Sequence, residues 1–223
     1  MTNIGMLLYP GLTQLDLTGP FEVLHRVPDA RVHLAWKTLD PVAADSKLVF
    51  APTTTLDECP PLDVVFVPGG GGQTALMRDD AVLGFLRDQG ERARFVTSVC
   101  TGALLLGAAG LLEGYDAATH WAFMDLLPLF GARPVKKRVV VDRNRVTGGG
   151  VTAGIDFGFR LAAALANETV AKTIQLALEY DPEPPFRSGH PDVAAPALVA
   201  AVRERFEQTF RARAEILRGG ARS

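Results

Sequence analysis

An α/β fold with a mostly parallel central sheet flanked by helices is what this sequence predicts. Short β-rich apolar runs alternate along the chain with stretches of helical periodicity, the pattern of strands joined by crossover helices. One run, Val64-Val65-Phe66-Val67, is apolar throughout and ends at Pro68 and four glycines. A strand buried on both faces reads this way, whereas a half-exposed strand alternates.

The elements follow in order. Residues 4–9 read as a first strand and 15–27 as a helix broken by Gly19-Pro20. A second strand spans 31–37, and a polar stretch leads to an apolar segment at 48–50. After the 64–67 strand, 81–91 is helical and 95–99 is a strand. Residues 102–111 form a helix of small residues, ended near Gly114. A short strand at 117–120 precedes a helix at 121–130. Residues 139–142 and 145–147 make a hairpin turning at Arg143-Asn144. Helices follow at 153–166 and 168–180, and a segment with five prolines (181–196) is irregular. Residues 197–217 close the chain as an amphipathic helix. Its apolar stripe (Leu198, Val199, Val202, Phe206, Phe210) packs on the body or on a partner. Its charges (Arg203, Glu204, Arg205, Glu207, Arg211, Arg213, Glu215) read as a solvated, salt-bridged face. The expected organisation is one α/β domain over 1–190, with 191–223 as a helical extension packed on that domain or on a dimer partner.

The bulk numbers remove several classes. At 48% hydrophobic and 22% charged, 223 residues carry a sizeable core. A net charge of −2 asks for neither nucleic acid nor an anionic membrane as partner. No run approaches the ~20 apolar residues of a membrane span, and the first residues read as a strand rather than a signal peptide, so a cytoplasmic protein is expected. Two cysteines do not make a disulfide scaffold. Four scattered histidines show no metal-ligand spacing, so no metal site is expected.

In such folds ligands sit outside the carboxyl ends of the strands. Three features stand there: Tyr9-Pro10-Gly11 leading to Asp16, the loop Pro68-Gly69-Gly70-Gly71-Gly72, and Cys100-Thr101-Gly102. The glycine loop lacks the Lys-Ser/Thr of a phosphate loop, and no GxGxxG with a distal acid appears. Cys100 falls between a strand and a helix, followed by the small residues that a tight turn needs. The helix N-terminus there is expected to lower the thiol pKa. The Thr101 N–H is placed as one donor to developing negative charge, with a second from Gly70 or Gly71. A cysteine beside an apolar strand is otherwise a small buried hydrophobe, and Cys59, in a Pro-rich loop, keeps that reading. His120, after the elbow helix, reads more readily as a hydrogen-bonded strand-end histidine than as a base. Trp121 and Phe123 read as core or pocket wall, Asp156 as a helix N-terminal carboxylate, and Glu22 as a packing residue or a pocket carboxylate.

The segments YPGLTQLDLTGPFEVL, DVVFVPGGGG, SVCTGALLLGAAGLLEG, ATHWAFMDLLPLFGA, RVTGGGVTAGIDF and QLALEYDPEPPF together resemble the DJ-1/PfpI superfamily, a relative of the class I glutamine amidotransferases. Within it, the DLTGP segment, the elbow and the YDPEPPF tail are most similar to the isocyanide hydratases. The resemblance implies a flavodoxin-like sandwich with Cys100 as nucleophile at a strand-to-helix elbow. Asp16 stands where most members have Glu and the isocyanide hydratases have Asp; it implies a proton relay to the thiol. Thr101 faces the site, and Gly149, Gly150 and Val151 flank the elbow strand, Val151 replacing a common isoleucine. His120 matches a histidine near the cysteine in several relatives. An isocyanide substrate, no cofactor and a homodimer are the further implications. Rival activities are a glyoxalase-, deglycase- or amidase-like reaction of the same thiol, ligand sensing of the kind found in AraC-type regulators, and oxidation sensing.

Overall fold

The computed structural model describes residues 1–220; the last three residues of the expected C-terminal extension lie outside them. In chain order the elements are β1 (Thr2–Leu7), α1 (Gln14–Leu24), β2 (Ala30–Trp36), β3 (Val42–Ala43), β4 (Val49–Phe50), β5 (Thr54–Thr55), β6 (Val64–Val67), α2 (Gln73–Leu76), α3 (Asp80–Arg92), β7 (Phe95–Ser98) and α4 (Gly102–Ala108). β8 (Asp116–Ala117), a 3-10 helix (Trp121–Phe130), β9 (Arg133–Pro134), β10 (Val139–Asp142), β11 (Arg145–Gly148), α5 (Ala153–Leu165), α6 (Glu168–Ala177) and α7 (Pro196–Gly220) follow.

The main sheet has the order β10-β11-β7-β6-β1-β2-β5. Every neighbouring pair is parallel except the β10–β11 hairpin. From β1 the chain winds outward through β2 and β5, then returns to the other side of β1 to lay down β6, β7 and β11. The winding reverses between β1 and β6, and folds of this kind bind ligands outside the carboxyl ends of the strands at such a point. β6 is buried at all four positions, as its unbroken apolar run requires. Ile4, Met6, Val64, Phe66 and Val96 fill the middle of the core, and Phe66 meets Phe157 of α5 with ring centroids 5.5 Å apart.

Several local expectations are corrected. α1 does not break at Gly19-Pro20 but runs through it to Leu24. Pro20 has no N–H to offer the Asp16 carbonyl four residues back. The pair instead makes a close seam with α5: a Cβ on Gly19 would lie 3.2 Å from Ile155 Cγ1, and one on Gly154 would lie 3.1 Å from Pro20. The helix after Cys100 ends at Ala108, with Gly110 in the left-handed region at φ +78°. The strand expected over 117–120 is only Asp116–Ala117, because His120 turns to cap the following helix. That helix, Trp121–Phe130, is of the 3-10 type and contains Pro128. No helix among the described residues is long and apolar enough to cross a membrane.

Phe157 is fully buried against Phe66 behind the site. Phe157→Ala is expected to lower stability by about 3–5 kcal/mol through lost burial and a residual cavity, read as a lower urea midpoint at unchanged m-value.

Candidate active site

The sheet order sets the carboxyl ends of β11, β7, β6 and β1 side by side. Cys100 follows β7 with φ +51°, a left-handed backbone that a non-glycine residue rarely adopts. Neighbouring loops hold it there. Its N–H is shared between the carbonyls of Gly149 (2.7 Å) and Gly148 (3.2 Å) at the end of β11. Its carbonyl accepts the Thr119 hydroxyl at 2.7 Å. The side chain is 6% exposed.

Asp16 enters from the first turn of α1 and is fully buried. Its Oδ2 accepts the Gly69 N–H at 2.9 Å. Oδ1 has no partner of ordinary hydrogen-bond geometry, although the Cys100 thiol is close enough to act on the carboxyl as a hydrogen-bonding neighbour. Gly69 fits only without a side chain: a Cβ would stand 2.6 Å from the Thr101 nitrogen and 2.7 Å from Asp16 Oδ2. Tyr9, at the end of β1, donates its hydroxyl to the Pro68 carbonyl at 2.7 Å and ties the two strand ends together.

The electrostatics follow from this enclosure. Burial pushes the Asp16 carboxyl up from 3.8 to about 7, against the lowering effect of the thiol and the Gly69 N–H. Burial also pushes the Cys100 thiol well above its ordinary value, and the Asp16 charge adds to the rise. The Thr101 N–H and Arg213 oppose it without reversing it. The expectation of a lowered thiol pKa is corrected: α4 has only seven residues, and its N-terminus does not offset desolvation and a facing carboxyl.

The glycine loop also differs from expectation. The Gly70 N–H, expected to donate to developing charge, already donates to Thr101 Oγ1 at 3.1 Å. Gly70 is at φ +142° and holds its neighbours in place. Gly71 is exposed, with open space beside it. Gly149 serves as an acceptor for the Cys100 N–H. Gly150 and Val151 are partly buried; a Cβ on Gly150 would lie 3.5 Å from the His120 ring. His120 accepts the Ala122 N–H through Nδ1 at 3.3 Å and packs edge-on to Phe206, centroids 5.3 Å apart. Burial, then Arg213, lowers its pKa to about 4, so it stays neutral. Glu22 points to the surface, pairing with Arg26 at 2.7 Å, and Asp156 pairs with Arg138 at 2.5 Å. Cys59 sits apart in its loop, half-buried, its thiol pushed up to about 11.

Two residues escape sequence reasoning. Thr119 has only its place before His120 to signal it. Arg213 was read as part of a solvated face, yet it is 2% exposed. Its Nη2 donates to the Gly70 carbonyl at 2.9 Å and its Nε to Thr74 Oγ1 at 3.0 Å. Phe206 and Phe210 of α7 pack around Phe123 on the 3-10 helix, while Leu198 and Val202 remain exposed. A cavity of about 220 Å³ between the 3-10 helix and α7 adjoins that cluster through Phe206 and Phe210. No group of three His, Cys, Asp or Glu residues among the described residues could hold a metal ion.

Fold and site together define an α/β protein in which a buried thiol and a buried carboxyl meet where the winding of the sheet reverses. The chain belongs to the DJ-1/PfpI family, which matches residues 2–164. It is 55% identical over 214 residues to the isonitrile hydratase of Pseudomonas putida, covering 96% of this chain and 94% of that protein. A crystal structure of a ThiJ/PfpI family protein from Pseudomonas syringae superposes with a TM-score of 0.95 at 44% identity, covering 97% of this chain and 90% of that one. The HTH-type transcriptional regulator GbdR of Pseudomonas aeruginosa is 33% identical over 168 residues, 71% of this chain but 45% of the regulator. The family match stops before α7, whereas a 214-residue match in a chain of 223 necessarily includes position 213.

A carboxyl whose folded pKa lies above its unfolded value binds its proton more tightly in the native state. Its contribution is fully present below the unfolded value near 3.8 and is lost as pH rises toward about 7. The shift corresponds to roughly 4 kcal/mol as an upper bound. Asp16→Asn is therefore expected to gain stability relative to the parent between pH 4 and pH 8, measured by urea unfolding at both; equal differences at the two pH values refute the buried-carboxyl account.

Proposed function

We propose that this protein adds water to isocyanides to give N-substituted formamides, as a cofactor-independent hydro-lyase with a cysteine nucleophile. The observation that carries the reading is the enclosed Cys100–Asp16 pair in a chain 55% identical, nearly end to end, to an isonitrile hydratase. Cys100 is the nucleophile at an elbow, and Asp16 carries protons.

The chemistry starts from a pair that shares one proton. Asp16 takes the thiol proton as sulfur bonds to the terminal isocyanide carbon, and returns it to that same carbon, giving a thioimidate. The pair is suited to this because Asp16 titrates near neutrality while the thiol stays protonated at rest. Thr101 N–H faces the sulfur and stabilises negative charge there. A water then adds to the carbon. One of its protons passes through Asp16 to nitrogen and the other returns to sulfur as the C–S bond breaks. The product is R–NH–CHO, and atoms balance with one water consumed. Gly70 sets the loop through Thr101, and Gly71, Gly150 and Val151 border the substrate. His120, neutral and capping a helix, orients the aromatic wall instead of carrying a proton. The exposed Leu198 and Val202 of α7 support a homodimer contact, and a cytoplasmic setting fits the composition. The rival reactions of the thiol and ligand sensing are separated from this reading by substrate: methylglyoxal against an alkyl isocyanide.

Incubation with an alkyl isocyanide is expected to yield the N-formyl product, and Cys100→Ser to abolish it; formamide formation by that variant at more than a percent of the parent rate sinks the covalent route. With one shared proton required, kcat/KM climbs as pH rises through an apparent value near 7, then holds until the thiol titrates. Asp16→Asn loses at least ~100-fold in kcat together with the limb near 7, checked by a pH–rate profile.

A further inference from the structure

We propose that Arg213 is a positioning residue of this active site, carried in by α7 to lock the glycine loop and to place a positive charge beside Cys100. Three observations support it. Its planar guanidinium spans the loop, donating from Nη2 to the Gly70 carbonyl at 2.9 Å and from Nε to Thr74 Oγ1 at 3.0 Å. Gly70 in turn donates to Thr101, whose own N–H faces the thiol, so the arginine is two hydrogen bonds from the reacting sulfur's donor. The third observation is that Nη1 is buried with no partner. An enclosed cationic donor left unpaired is costly, and an aliphatic residue in its place would avoid that cost. The guanidinium carbon also lies over the Phe123 ring, 4.5 Å from its centroid, a cation–π contact.

Charge is where the arginine acts on chemistry. Of the groups facing the thiol, Asp16 disfavours the thiolate, and Arg213 favours it. Around the guanidinium stand Tyr9 just beyond β1, Cys100 and His120, of which only Cys100 gains charge in the reaction. Buried at that depth, Arg213 stays protonated although burial lowers its pKa to about 10. It therefore supplies a fixed positive charge as the proton leaves sulfur for Asp16. Position 213 lies outside the part of the chain that the family shares and inside the match to isonitrile hydratase.

The proposal rests on the reading of Cys100 as the nucleophile, but its test does not need turnover. Alkylation of Cys100 by iodoacetamide, followed by mass spectrometry of the Cys100 peptide so that Cys59 is not counted, is measured against pH for the parent, Arg213→Gln and Arg213→Lys. In Arg213→Gln the midpoint of alkylation is expected to move up by about 1 pH unit, and kcat/KM with an alkyl isocyanide to fall about 10- to 100-fold. Arg213→Lys keeps the charge and loses the fork: the alkylation midpoint returns toward the parent while kcat/KM stays several-fold low. An alkylation profile in Arg213→Gln that superposes on the parent overturns the electrostatic role. Should that variant fail to fold, Arg213→Lys with parental kcat/KM overturns the positioning role. A parent that alkylates normally but does not hydrate isocyanides refutes the function and leaves the arginine's effect on the thiol still readable.

Discussion

The site depends on a backbone held in an unfavourable place. A cysteine at φ +51° costs of order 1–3 kcal/mol relative to an ordinary conformation. It persists because both polar groups of the residue are tied: the N–H to the end of β11, the carbonyl to Thr119. Those ties exist only because β11 lies next to β7 in the sheet. The same neighbouring places β6 on the other side of β7, so that the glycine loop closes over the thiol from the opposite flank. Sheet order and strain are in this sense one constraint.

What the strained turn delivers is a thiol at rest, not a standing thiolate. Helix N-termini favour negative charge, but the effect fades in a short helix, and burial acts on the whole thiol. Desolvation raises both the thiol and the carboxyl. Two groups that each resist ionisation, set in contact, exchange a proton at lower cost than either releases one to solvent. Asp16 Oδ1, buried and without a hydrogen-bond partner, is the carboxyl oxygen left free to receive a proton.

Much of this was legible in the sequence because it is local. The unbroken apolar run at 64–67 and the hairpin turn at Arg143-Asn144 fall where periodicity puts them. Cys100 and Thr101 come together just past the end of β7, and Asp16 reaches them from the first turn of α1. The failures are tertiary. Gly19-Pro20 reads as a break until α5 is seen packed closely on it, with Ile155 Cγ1 3.2 Å from the place of a Gly19 Cβ. Trp121–Phe130 is a helix as its pattern reads, and its 3-10 winding is what the pattern does not carry. Arg213 is spaced like its neighbours Arg211 and Glu215, and charge periodicity alone cannot tell a solvated face from one that inserts a single arginine into the body.

The identity of the acid at position 16 follows from the same crowding. Asp16 Oδ2 reaches the Gly69 nitrogen from the first turn of α1 with no slack: a methyl on Gly69 would already collide with it. A glutamate at 16 would push the carboxyl one carbon further into a space bounded by Gly69, Thr101 and the sulfur, and overpacking of that kind forces off-rotamer side chains or backbone shifts. Either change would move the Gly69–Gly70 loop, and with it the Thr101 and Arg213 contacts that hold it. Asp16 thus requires a residue without a side chain at Gly69. The shorter acid is what allows the loop to close tightly enough to exclude water, and the exclusion of water is what lifts the carboxyl to where it can trade a proton with the thiol.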